Sequence, residues 1–166
     1  RRSIVARVGH KLLRADLSSA EALLTGWFAR DEQAMRLARL GTHKYATAKF
    51  LGLSVSLEMT DAELKPILAP MKERDPRLYR QVKTVIYGGN YIAGPRKIFE
   101  NNPEEFASQA EAAKFLVFCK GLPPKIGAWQ QQVIRQATAT KQLKNPFGYT
   151  KAFWDLPGSD GPACVA

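Results

Sequence analysis

Apolar positions recur along most of this chain with helical spacing. Ser18-Ser19 opens a helix whose apolar face is Ala20, Leu23, Leu24, Trp27 and Phe28. Asp31 restarts the pattern through Arg39, and Gly41 is a helix stop. Thr42 caps a short helix carrying Tyr45, Ala46, Lys49 and Phe50, which Gly52 closes. Thr60 and Glu63 have capping-box spacing for another helix, and Pro66 and Pro70 break the chain beyond them. At Asp75-Pro76 an acceptor precedes a proline suited to the first helical position. The helix it starts spans residues 76–93, weakened or bent at Gly88-Gly89 and ended by Gly94-Pro95. Asn102-Pro103 repeats that signal for a helix to Lys120, closed by Gly121. Ile126, Trp129, Val133 and Ala137 make a further stripe, to about Lys141. Residues 11–17 read instead as a short strand, and Asn145-Pro146-Phe147-Gly148 as a turn between short strands ending near Trp154. The pattern predicts a mainly α (α+β) chain with scraps of sheet at both ends, as if the sheet belonged to a neighbouring domain.

The length, 166 residues, suffices for one domain with a real core. Lys plus Arg number 25 against 15 Asp plus Glu, a net charge of +10 that suits a polyanionic partner. No apolar run approaches membrane-spanning length, and residues 1–10 lack the apolar core of a signal peptide. Cys119 and Cys164 are too few and too far apart for a disulfide framework or a zinc site, which fits a reducing, intracellular setting. The start on Arg1 and the stop at Ala166 lead us to expect an excerpt of a longer chain.

Two stretches carry candidate chemistry. On the helix over 76–93, Arg80, Lys83, Tyr87 and Tyr91 fall on one side. Such a stripe serves either as basic stems lying over a core built on the tyrosines, or as a surface for a phosphorylated, flat-ringed ligand. Upstream, Asp16 ends the expected strand and Glu21 lies five residues on, in the first helical turn. Ser18 and Glu21 also have capping-box spacing, so the pair reads either as helix capping or as a metal-binding carboxylate with a second carboxylate guarding its pocket.

Together these stretches resemble family A DNA polymerases, the group typified by bacterial polymerase I and related phage enzymes. Asp16-Leu17-Ser18-Ser19-x-Glu21 is similar to motif A, and Lys83, Tyr87-Gly88 and Tyr91 are similar to motif B. Between them, residues 42–48 resemble the family's His-bearing segment through His43. The resemblance implies that Asp16 and the Leu17 carbonyl hold Mg²⁺ for a two-metal phosphoryl transfer. It implies that Glu21 excludes a ribose 2′-hydroxyl, and that His43 and Lys83 bind the incoming triphosphate, with Lys83 also the general acid. Tyr87 would stack near the base and sugar, while Tyr91 and Gly88 would sit by the templating base. The implied partners are a DNA primer-template, deoxynucleoside triphosphates and the rest of the polymerase chain, in a bacterial cytoplasm or phage-infected host and away from any membrane.

Departures from the family's pattern shape the expectation. Where the family has an Arg four residues before the motif B Lys, this chain has Tyr79, and Arg80 is the candidate substitute. Leu17 replaces the usual Tyr, and Leu23 stands where Arg is common. Neither His10 nor His43 precedes an Asp, so the His-Asp motif bearing the second catalytic carboxylate is missing. The implied organisation is a palm strand with motif A over 1–18, helical fingers over 19–141, and a hairpin and loop returning to the palm over 142–166, inactive without the remaining carboxylate. Two rival readings are a non-catalytic basic helical module that binds nucleic acid and a part of a single-subunit RNA polymerase. Against the latter stand the short four-residue step from Lys83 to Tyr87 and the acidic gate Glu21.

Overall fold

The computed structural model describes residues 5, 7–13, 17, 19–122 and 124–153. Among these the chain is mainly helical, as the apolar spacing predicts, with one two-stranded sheet near the C-terminus. The helices are α1 (Ala20–Phe28), α2 (Glu32–Leu40), α3 (Thr42–Phe50), α4 (Asp61–Leu68), α5 (Met71–Arg74), α6 (Pro76–Asn90), α7 (Pro95–Asn101), α8 (Gln109–Lys120) and α9 (Pro124–Thr140). The sheet pairs β1 (Gln142–Lys144) with β2 (Thr150–Ala152), antiparallel, with Leu143 opposite Lys151.

Local signals set most boundaries. Asp31 caps α2 by accepting from the Ala34 N–H at 3.0 Å, and Asp75 caps α6 by accepting from Leu78 N–H at 2.9 Å. Thr60 and Glu63 form the reciprocal capping box. Gly41, at φ 104°, ends α2 and turns the chain straight into α3, so Thr42 is the first helical residue rather than the cap. In the hairpin, the Asn145 carboxamide oxygen accepts from the Phe147 and Tyr149 N–H groups at 3.0 and 2.9 Å.

Four sequence expectations change. Pro66 lies inside α4 instead of breaking it, because Leu64 and Leu68 are buried and hold that short helix to the core. Asn102-Pro103 does not start a helix: Asn102 ends α7, its side chain donating back to the Ile98 carbonyl at 2.9 Å, and Ser108 caps α8. Residues 11–13 and 17 are irregular rather than strand, since no neighbouring strand among the described residues offers them a ladder; residues 14–16 lie outside the described set. Finally, α1 does not bury its Leu24, Trp27 and Phe28 face, which is 38–55% exposed. It packs through Gly26, where an added Cβ would meet the Met35 backbone N at 3.0 Å, so α1 and α2 approach too closely for a larger residue.

Two apolar clusters form the core. One gathers Leu78, Val82 and Val85 of α6 with Ile98, Phe106, Phe115 and Leu116; the other gathers Leu37, Tyr45, Leu64, Leu68 and Met71. Each fully buried Leu or Val contributes about 1.5–3 kcal/mol. Helix α3 is the wall between them, giving Ala46 to the first and Tyr45 and Ala48 to the second. Its small side chains bring its N-terminal turn close to α6, and that approach places the candidate site.

Candidate nucleotide-binding site

The face of α6 that carries Arg80, Lys83, Tyr87 and Tyr91 points outward. Tyr87 and Tyr91 are 45% and 55% exposed, while Leu78, Gln81, Val82 and Val85 hold the helix to the core. The cationic stems therefore do not cover a tyrosine core, and both rings reach the surface.

Around this face lies an open cleft of about 1120 Å³. Leu17 and Glu21 line it from the start of α1, His43 from the first turn of α3, and Tyr79, Lys83 and Tyr87 from α6. Four of the residues singled out in sequence thus share one concavity with Leu17. The aromatic groups form a continuous row. The ring of His43 meets Tyr79 edge-on at 6.2 Å and stacks on Tyr87 at 6.5 Å, and Tyr87 lies 6.5 Å from Tyr91 at a tilt of 31°. Thr47, buried in α3, donates its hydroxyl to the His43 carbonyl at 2.8 Å.

The electrostatics follow from this packing. Burial, and then the Lys83 charge, push the His43 imidazole down to about 4, so it is neutral at physiological pH. The Glu21 carboxylate lies beside the Tyr91 phenol, and its acceptor oxygen and its charge raise the phenol above its usual range. The N-cap of α1 is Ser19, at φ 55° and without a side-chain capping bond; Ser18, the capping-box partner of Glu21 expected from the sequence, lies outside the described residues.

Arg80 does not join Lys83 in this cleft. It faces a second, shallower groove of about 690 Å³ between α6 and α7, with Tyr91, Gly88, Lys97 and Asn101, while Lys83 and Tyr87 border both spaces. Gly88 is a packing requirement there, because an added Cβ would sit 3.0 Å from Ile98 Cγ1. Positions 79, 83, 86 and 90 form a neighbouring stripe on α6, not singled out in sequence, and it is this stripe that lines the main cleft. Tyr79, which stands in place of the family's Arg, is thus a site residue that motif matching passes over. Gln130 and Lys120 also line the cleft, brought there from α9 and α8 with no sequence signal.

Asp16, to which the resemblance assigns the metal, lies outside the described residues. Among the described residues, no group of three or more metal-ligating side chains occurs, and Glu21 is the one described carboxylate that lines the cleft. These residues do not by themselves fit Mg²⁺. No helix among the described residues is long and apolar enough to cross a membrane. No protein-family model, curated protein or solved structure matches the chain.

Proposed function

We propose that this chain is the nucleotide-binding fingers, with part of the palm, of a DNA-directed DNA polymerase of the family A type. The observation that carries this reading is the convergence of Glu21, His43, Lys83 and Tyr87 on one cleft from three separate stretches of sequence. Their chemistry suits a nucleoside triphosphate. The Lys83 ammonium is a point charge for phosphate oxygens. Neutral His43 offers a ring nitrogen to the same phosphates without adding to the charge that Lys83 supplies. The stacked His43 and Tyr87 rings give a flat wall for base and sugar that accepts any base. Glu21, on the cleft wall beside Tyr91, closes it where a ribose would bring its 2′-hydroxyl, leaving that group unpaired or clashing.

The α6–α7 groove then serves the template strand, with Arg80 and Lys97 for its phosphates and Tyr91 as a stacking platform. The carboxylates that would hold Mg²⁺ are not among the described residues of the cleft, whose part is confined to binding, orienting and selecting the nucleotide.

The test is equilibrium binding of a fluorescent deoxynucleoside triphosphate to the chain. Lys83→Ala should weaken it by roughly tenfold to a hundredfold, the worth of a hydrogen bond to a charged group. Lys125→Ala should leave it within about twofold, because the Lys125 ammonium lies by the Arg30 carbonyl, away from the cleft. Equal, modest losses from both would favour a basic helical module with diffuse affinity for nucleic acid, and would sink the focused site.

A further inference from the structure

The C-terminal end of α6 leaves its last carbonyls without partners inside the helix. The chain turns there at Ile92, with φ 59°, and the N–H groups of Ile92 and Ala93 fold back on Gly89 and Gly88 at 3.0 and 2.8 Å. From α9, the Gln130 carboxamide donates to the Gly89 and Asn90 carbonyls at 3.2 and 3.1 Å. These two residues immediately precede Tyr91, the neighbour of Glu21. Helix α9 is itself anchored. Asp31, only 1% exposed, accepts from Ala34 N–H with one oxygen and from Lys125 N–H with the other, each at 3.0 Å. A strut thus runs from the start of α2, through the first two turns of α9, to the last turn of α6.

We propose that Gln130 is a positioning residue for sugar selection, fixing the last turn of α6, and with it Tyr91, beside Glu21 on the cleft that Gln130 also lines. The inference rests on the polymerase reading for its consequence, though not for its geometry. Gln130→Glu keeps the shape but turns a carboxylate oxygen toward the carbonyls; Gln130→Lys restores a donor of sufficient reach, favourable at a helix C-terminus. Two readouts on the 166-residue chain separate the cases. Hydrogen exchange at the Tyr91, Ile92 and Ala93 amides should quicken about tenfold in Gln130→Glu and stay near wild type in Gln130→Lys. The ratio of binding constants for dATP over ATP should fall severalfold in Gln130→Glu and recover in Gln130→Lys. Should Gln130→Glu fail to fold, Gln130→Met carries the same two expectations. Unchanged exchange overturns the strut, and faster exchange with an unchanged ratio reduces Gln130 to ordinary packing and overturns its role in selection. If wild type binds neither triphosphate, the polymerase reading and the selection role fall together, while exchange still judges the strut.

Discussion

His43 gives the sharpest quantitative test, because its environment ties the site to acid stability. Unfolded, its imidazole titrates near 6.5; folded, burial and the Lys83 charge bring it to about 4. Between these values the unfolded chain binds a proton that the folded chain refuses, so stability falls as pH drops through that window. Above 6.5 neither state is protonated and the full stability is present; below 4 both are, and the loss stops growing. The linkage relation gives a cost of about 2 kcal/mol at pH 5, with a ceiling of about 3 kcal/mol. Urea unfolding followed by tryptophan fluorescence at pH 7.5 and 5.0 measures it, in wild type and in His43→Gln, which fills similar space and does not titrate. Wild type should lose about 2 kcal/mol more than the mutant on acidification. Parallel losses would refute the buried, Lys83-facing placement of the ring. The same group also reports on ligand. A tripolyphosphate ion held at Lys83 offsets the charge that depresses His43, so binding at pH 5 should take up a proton, read as a buffer-dependent heat in calorimetry. Binding with no proton uptake would move the phosphate site away from His43.

Two further predictions concern packing and the gate. Glu21→Ala should bring the Tyr91 phenol back down toward its ordinary value, followed by carbon NMR of ring-labelled tyrosine, and an unmoved titration would break the Glu21–Tyr91 link. Gly26→Ala should destabilise by about 1–3 kcal/mol, since its Cβ would press on the Met35 backbone at 3.0 Å; Gly89→Ala meets only Leu116 Cδ1 at 3.6 Å and should gain up to about 1 kcal/mol of helix propensity. A Gly26→Ala midpoint at or above that of wild type would contradict the close α1–α2 contact, and a Gly89→Ala midpoint below wild type would contradict the room beside Gly89.

What the sequence made legible here is what short-range bonding decides. The caps at Asp31, Asp75 and Thr60 each close within three residues, so their residue types announce them. The same signal failed at Asn102-Pro103, where the competing local bond runs backward to Ile98 and the following loop is held by distant groups. Phe106 is buried, Gln81 donates to the Glu105 carbonyl at 2.6 Å, and the Thr84 hydroxyl donates to the Glu105 carboxylate at 2.5 Å. Nothing near residue 102 encodes those partners.

The candidate site divides along the same line. Helical periodicity put Arg80, Lys83, Tyr87 and Tyr91 on one face, and that face is outward. Periodicity does not say what stands opposite a face, however, and two different helices stand opposite this one. Helix α3 faces the Tyr79 and Lys83 edge and makes the cleft with His43; helix α7 faces the Arg80 and Gly88 edge and makes the groove. One stripe therefore serves two concavities, with Lys83 and Tyr87 on the ridge between them. A residue on that ridge touches whatever fills either space, so occupancy of the groove and of the cleft cannot be energetically independent. If the cleft takes the nucleotide and the groove the template, Lys83 and Tyr87 are where the two ligands meet, which is where template-directed selection has to be made.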